Sequence, residues 1–547
     1  MKNKIYFVLI ALIGLNLTSC EEFLAEENKS SIGDQYYETA AGVTDLVDAC
    51  YTPLRYWFGK EKASNFVASA TDIITRAKGH TNVEVNDYSS NFNATSGNLD
   101  DLWKYNYKAL NFCNEALYRL DQIEMENKTT YIGEVSFLRA VYSWIIAEMW
   151  DDTHYTTEPS SGAITTANYT LKADIYAQIF ADLDVAIANC TENVSEGGRV
   201  TKWAAMAMKA RMLLTRGDKV AAASLAKEII DSKKFTLFDD YTALWDMSNS
   251  EGSTNSECIW YVNYTSDLLL DQELDNEAQE RGGNNLHLMY CTKYDNQPGM
   301  SRDVLNGRPF NRYMPTRYLM ELYDQENDQR WNGTFKYLWF MNTPSNTGSY
   351  VNMTDTSIYL INGPVTNTQY AWAETRYQLY GIDDLYEEDG TPTGAREVVF
   401  QINKFDDPTR PSLSTPESAR DFFVFRIAEM YLIVAEGFME SKPTVALDYM
   451  NTLRRTRAIS GHETEMEITA SDLNMDFILD ERARELCGEE LRWFDLKRTG
   501  TLIERVKAYN PDAASNINAY HTVRPFPQKF LDAIQNKEDF PQKAGYK

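Results

Sequence analysis

Seven cysteines are scattered through 547 residues and no two form a C-x-x-C pair, which leaves zinc-ribbon and thioredoxin-like readings without support. Histidine is scarcer, five in all, and His462-Glu463 lacks the second histidine that a zincin helix requires. No G-x-G-x-x-G, P-loop or G-x-S-x-G is present, so dinucleotide, nucleotide-phosphate and serine-elbow chemistry lack their loops. Positive charge is also short: 53 Lys and Arg stand against 80 Asp and Glu, a net charge of -27. That field repels nucleic acid, whose binding depends on neutralising phosphates. After Leu17 no apolar run approaches the ~20 residues that span a bilayer as a helix.

The N-terminus has a definite pattern. Lys2 and Lys4 form a basic head, Ile5 to Leu15 is an almost unbroken apolar run, and Leu17-Thr18-Ser19-Cys20 closes it with small residues. This is the layout of a secretory signal peptide, too short to span. Leu-Thr-Ser-Cys resembles a bacterial lipobox, which makes Cys20 the expected lipidation site and residues 1–19 the leader. Several acyl chains on one residue hold a protein to a membrane stably, where one chain binds only marginally. The acidic pair Glu21-Glu22 resembles the surface-export signal of Bacteroidetes lipoproteins. Residues 20–34 are polar and read as a tether.

Beyond the tether, 43% hydrophobic and 24% charged residues describe a globular body. Aromatic content is 13%, with 34 Tyr and 11 Trp. Such side chains pair an apolar face with a polar tip, which suits interfaces and sugar-binding clefts as well as cores. The six cysteines besides Cys20 read mostly as small buried residues; a disulfide among them stays open.

Helical spacing of apolar residues predicts helices at 36–56, 102–120, 131–150, 174–188, 203–215 and 219–231. The last two face each other through Ala207, Ala210, Ala222 and Ala226, so their backbones can approach closely, as in a tetratricopeptide repeat. Residues 72–99, rich in Asn, Ser, Thr and Gly, read as one long loop of the kind that often carries function. From 249 to 419 the helical period disappears. Short apolar runs at 258–262 and 398–402 read as strands. Helices return at 425–439, 444–457 and 473–494, and the tail from Val523 is irregular. The expected architecture is therefore all-α, with tetratricopeptide-like helix pairs and a large irregular region carrying a few short strands. It comprises one body, 35–547, made of a helical part (35–248), an aromatic-rich part (249–419) and a C-terminal helical part with the tail (420–547).

Glu481, Glu485, Glu489 and Glu490 offer carboxylates for glycosidic cleavage, but Arg482, Arg484 and Arg492 interleave with them at ion-pair spacing, which favours a structural role. The acidic run Asp383, Asp384, Glu387, Glu388 and Asp389 lacks EF-hand ligand spacing and reads as a solvated turn. No catalytic residue, metal ligand or cofactor is nominated.

Several segments together resemble the SusD/RagB family of Bacteroidetes nutrient-binding lipoproteins. They are Leu102-Trp103 with Asn111 and Asn114; Gly133 to Ala140, similar to G-E-x-x-F-L-R-A; Gly198-Arg199-Val200-Thr201-Lys202 with Ala204; Arg426 to Leu432 with Ala435-Glu436; Glu481-Arg482 through Glu485-Leu486 to Arg492, Asp495-Leu496 and Arg498; and Pro525-Phe526-Pro527. One departure stands out: Glu490 occupies the place of the family's usual glycine in Gly-x-Arg. The resemblance implies a repeat-like helical body that binds a glycan or other nutrient without chemistry on it. It also implies a surface position on the outer membrane and a partner, a SusC-like TonB-dependent transporter. A peptide-binding importer subunit is the nearest alternative, and a surface glycoside hydrolase the next.

Sugars present C–H faces that stack on rings and hydroxyls that hydrogen-bond to planar groups. Two regions offer both. One is the loop 72–98, with Arg76, His80, Tyr88 and Phe92. The other is the middle segment, with Trp331, Trp339, Tyr350, Tyr359, Tyr370 and Trp372. The expected ligand residues are Arg76, Tyr88, Trp339 and Trp372.

Overall fold

Apolar residues three and four apart build most helices where their spacing places them. In the computed structural model, residues 34–546 are described, except 161, 163–164, 266, 268–272, 276–279, 349, 351 and 353–354. The expected leader, Cys20 and the tether up to residue 33 lie outside the described residues. Helix α1 (Ala40–Tyr51) buries Val43, Leu46, Val47 and Cys50 and begins at Thr39, whose hydroxyl accepts the Gly42 N–H. It stops short of the expected Tyr56 because Pro53 has no N–H to continue the ladder; a separate turn, Leu54–Trp57, follows. Then come α2 (Gly97–Gln122), α3 (Lys128–Trp150), α4 (Lys172–Asn189), α5 (Lys202–Thr215) and α6 (Lys219–Asp231).

The middle segment contributes strands β1 (Cys258–Val262), β2 (Leu338–Phe340) and β3 (Thr356–Ile361), the short helix α7 (Asn367–Ala373) and strand β4 (Gln378–Gly381). β3 is central in a three-stranded sheet, antiparallel to β2 and parallel to β4. The run at 398–402 forms a strand only at Gln401–Ile402, antiparallel to Phe335–Lys336. Strand β5 (Phe422–Arg426) closes the segment by pairing antiparallel with β1. The start expected for a helix, Phe425, is thus still extended.

Helices α8 (Ile427–Phe438) and α9 (Pro443–Thr456) resume the stack. Each helix packs on the next: α2 on α3, α3 on α4, α4 on α5, α5 on α6, α6 on α8 and α8 on α9. The middle segment is therefore inserted between two neighbouring layers of one helical stack. Ala207, Ala210, Ala222 and Ala226 are fully buried, in line with their expected role. Gly437 makes the α6–α8 contact possible, because a Cβ there would lie 2.3 Å from the Lys219 carbonyl oxygen and 2.7 Å from the Ala223 Cβ. One hydrophobic cluster extends from Val43 to Tyr546.

The helix expected over 473–494 is two: α10 (Met475–Glu485) and α11 (Arg492–Arg498). Gly488 and Glu490 between them take φ of +79° and +60°, the left-handed region that ends a right-handed helix. The tail is also more ordered than its composition suggests, with α12 (Gln528–Ala533) packed by Phe530 against Trp103.

Glu481 and Glu485 of α10 face inward. Glu485 accepts from Arg426 Nη1 at 3.0 Å, Arg457 Nη2 at 2.9 Å and Arg330 Nη1 at 3.2 Å. Glu257 on the middle segment bonds the same Arg426 and Arg457, each at 2.7 Å. Glu481 takes Arg330, Arg454 and Arg484. All these groups but the half-buried Arg454 are buried. Beside them Asp495 accepts from Arg482 at 2.8 Å and Arg498 at 2.9 Å. The structural reading is the one the geometry of Glu481, Glu485 and Glu489 supports, since each is tied to arginines in the core.

Candidate functional site

Helix α7 opens on a capping box: the Thr366 hydroxyl accepts the Gln369 N–H, and Gln369 Oε1 accepts the Thr366 N–H at 2.8 Å. This fixes the first turn and directs Tyr370 and Glu374, four apart, to one side. The chain leaves the helix through Arg376 and Tyr377, whose N–H groups both reach the Ala373 carbonyl. Tyr377 thereby stays near Tyr370 before β4 begins. Across from them, Asn352 binds the Thr375 carbonyl through its N–H at 2.9 Å and brings the Tyr350 loop alongside. The result is a cup of about 430 Å³ lined by Tyr350, Tyr370, Ala371, Ala373, Glu374, Tyr377 and Leu379.

One phenol of this cup is held in place. Tyr370 donates its hydroxyl to Asp384 Oδ2, which also accepts the Gly381 N–H at 2.6 Å. Burial and the Asp384 carboxylate push the Tyr370 phenol up to about 12, so it remains a neutral hydrogen-bonding group across the physiological range. Two of the acidic-run residues expected in a solvated turn are thus engaged: Asp384 anchors Tyr370, and Asp383 pairs with Arg317 at 3.0 Å. Trp372 is 59% exposed. By helical spacing it points away from Tyr370, and the Arg376 guanidinium lies 3.6 Å from its ring centre, a cation–π stack that leaves the other face open. Three phenols and one carboxylate around the cup, with a bare indole on the neighbouring face of α7, suit a ligand with an apolar face and hydroxyl edges.

None of the four expected ligand residues lines the cup, and only Trp372 stands beside it, on the helix that builds it. Tyr88 is 1% exposed; its hydroxyl donates to the Ala70 carbonyl at 3.1 Å and its ring packs on His521. Trp339 is fully buried on β2, opposite Ile358. Neither offers a face to solvent, so both expectations are corrected: each ring fills core volume. Arg76 sits in a short strand, Ile74–Arg76, paired with Tyr313–Pro315. Its guanidinium is bound to Asp87 at 2.8 Å and Asp512 at 3.5 Å.

The long loop of 72–99 is likewise largely folded in. It contains that strand and a helical turn, Val83–Asn86, and buries His80, Asn86 and Phe92. Its asparagines serve the protein itself: Asn86 bonds Ser69, Thr75 and Asp87. In the middle segment Trp331 is core, against Phe335 and Phe400, while Tyr350 and Tyr370 line the cup. Tyr377 and Glu374 were not singled out by sequence. Their signal was the 370, 374, 377 spacing, hidden because the helix is only two turns long.

Comparison with known proteins gives consistent matches along the chain. A family model described as "SusD family" matches residues 257–540, and one described as "Starch-binding associating with outer membrane" matches 22–214. SusD-like protein P25 of Formosa agariphila is 26% identical over 97% of both chains. A SusD-like protein of Bacteroides ovatus is 21% identical over 91% of this chain and 82% of its own. Among solved structures, a laminarin-binding SusD-like protein superposes with a TM-score of 0.69 at 20% identity, covering 93% of this chain and 100% of that one. Surface glycan-binding protein A from Bacteroides thetaiotaomicron, in complex with laminarihexaose, gives 0.65 at 19% identity, covering 92% and 99%.

Proposed function

Since the chain belongs to the SusD family, we propose that it is a surface lipoprotein that binds a glycan and delivers it to a SusC-like TonB-dependent transporter in the outer membrane. In this reading residues 1–19 are a leader, Cys20 carries the lipid, 20–34 is a tether and 35–547 is one binding body. The observation that carries the glycan reading is the aromatic cup on α7 and β4, with its open indole alongside. Relatives whose names record laminarin and laminarihexaose binding support it. The binder reading is supported by Glu481 and Glu485, the glutamates that a glycosidase reading would need, which are buried and locked by arginines.

The site is tested by affinity electrophoresis and calorimetry against glucan, mannan and xylan oligosaccharides, beside a peptide panel. Tyr377→Ala and Trp372→Ala each lose roughly 1–3 kcal/mol of glycan affinity, the worth of a stacked ring by analogy with base stacking, while the melting temperature hardly moves. Unchanged glycan binding in both variants would sink the placement of the site. Binding to peptides alone would favour the peptide importer, and new reducing ends on incubation with polysaccharide would favour a hydrolase.

The anchor has its own test. Cys20→Ala moves the protein from the membrane fraction to the soluble fraction, because the leader is too short to hold it as a spanning helix. A variant that still pellets with membranes overturns the lipoprotein reading. For the partner, a mild-detergent pull-down of the native protein brings down a TonB-dependent barrel; recovery of the monomer alone in several detergents counts against it.

A further inference from the structure

A second cavity lies far along the chain from the first. It is about 390 Å³ and sits between α2, the loop after α3 and α12, sharing no element with the cup on α7. That volume is at the small end of the range for ligand sites.

Its two walls differ in kind. One is aromatic: Trp103 packs at 4.4 Å on both Tyr107 and Phe530, and Tyr107 stacks on His154 at 5.5 Å with 18° between planes. Tyr107, His154 and Phe530 are only half-buried, so ring surface faces the cavity. The other wall is polar. Asn111 Oδ1 accepts the Ser160 N–H at 2.8 Å, while its amide nitrogen has no partner among the described residues. His154 Nδ1 meets both the Asn168 N–H at 2.9 Å and the Asn168 carbonyl at 3.3 Å, so Nε2 donates or accepts according to the tautomer. Nε2 too has no partner among the described residues. A free amide donor and an imidazole nitrogen thus stand at the edge of a stack of rings.

We infer that this cavity between α2 and α12 is a second sugar-binding site, which takes one or two pyranose rings with a C–H face on Tyr107 and Phe530 and ring hydroxyls on Asn111 and His154. The two-walled lining matches a pyranose, apolar across its face and polar around its edge. A purely aromatic guest would leave both polar groups unsatisfied, which is costly in a partly buried site. The inference rests on the glycan reading but not on the position of the first cup.

The test uses the full chain with 5-fluorotryptophan incorporated and ¹⁹F NMR, since Trp103 and Trp372 report separately on the two places. The probes are laminarihexaose, maltohexaose, mannohexaose and xylohexaose. At least one hexaose is expected to shift both resonances. Ala533→Trp, which fills the cavity from an exposed lining position, is expected to abolish the Trp103 response and spare that of Trp372. Asn111→Ala weakens the Trp103-reported binding at least fivefold. A Trp372 response with Trp103 silent through saturation overturns the second site and leaves the proposed function standing. A Trp103 response that survives Ala533→Trp overturns the site as well. Silence of both with all four hexaoses removes the glycan reading and this inference together.

Discussion

Replacing Glu485 by glutamine destabilises the folded chain by about 3–5 kcal/mol, the usual cost of removing one partner from a buried charge pair. The side chain keeps its size, so the loss is electrostatic. Burial alone would raise the Glu485 pKa, but Arg457, Arg426 and Arg330 override it and hold the carboxyl well below the usual range. The variant leaves those three guanidinium groups sharing one carboxylate fewer in a site closed to water. Against a typical total of about 5–15 kcal/mol, this is a large fraction. Urea unfolding monitored by tryptophan fluorescence measures it, with the exposed Glu388→Gln as a control expected within about 0.5 kcal/mol of the parent. A Glu485 variant as stable as the control would mean that the carboxylate is not the hub its contacts make it.

The pH dependence follows with its own sign. Glu481 and Glu485 have folded values below their unfolded ones. Their contribution is therefore fully present above the ordinary carboxylate range and is lost only as pH falls toward the folded values. The network also explains where the repeated Glu and Arg of the α10–α11 stretch were informative. They predicted helical ion pairs, of which Glu481–Arg484 forms, whereas Arg482 pairs with Glu429 and Asp495 and Arg492 with Asp72. What the spacing could not supply was the partner set, because Arg330, Arg426, Arg457 and Glu257 come from distant parts of the chain.

The same division runs through the fold. The stack α2 to α6, with α8 and α9, was legible because each helix carries an apolar stripe long enough to declare its period. Pro53 and Gly488 were weaker signals inside otherwise helical patterns, and each divides what periodicity alone would join. The loop of 72–99 misled for a physical reason. Asn, Ser and Thr mark a solvated loop unless their side chains find partners, and here Asn86, Ser69 and Thr75 satisfy one another inside the protein. Composition counts polar groups but does not reveal whether they are paired. Trp339 and Trp372 illustrate the matching limit for aromatics: both lie in the same Asn- and Thr-rich segment, yet one is fully buried on a central sheet and the other is exposed on a two-turn helix. Strand pairing decided that, and pairing is long-range.

The departure from the family's usual glycine yields the second large effect. Glu490 replaces a residue suited to positive φ, and its own φ is +60°, where a side chain costs on the order of 1 kcal/mol. Its carboxyl is buried, with Ser64 Oγ donating to Oε1 at 2.6 Å. Burial pushes it up to about 8, against the pull of Ser64 and the Gly59 and Lys60 amides. A folded value above the unfolded 4.5 means that the stability linked to this group is complete below about pH 4.5 and is lost as pH rises toward 8. At pH 7 the protein bears about 3 kcal/mol for keeping the group protonated, from roughly 2.5 pH units at 1.36 kcal/mol each. Glu490→Gln is neutral at every pH and keeps the shape and the Ser64 acceptor. It is therefore expected to match the parent at pH 4 and to exceed it by about 3 kcal/mol at pH 7, the gap growing no further above pH 8. Asp406 and Asp421, raised to about 6 and about 7 by burial, titrate alike in both proteins and cancel in the difference. Urea midpoints from pH 4 to 9 provide the measurement. No gap at pH 7 would show that Glu490 is ionised in the fold, and a gap already present at pH 4 would show a difference that its protonation does not cause.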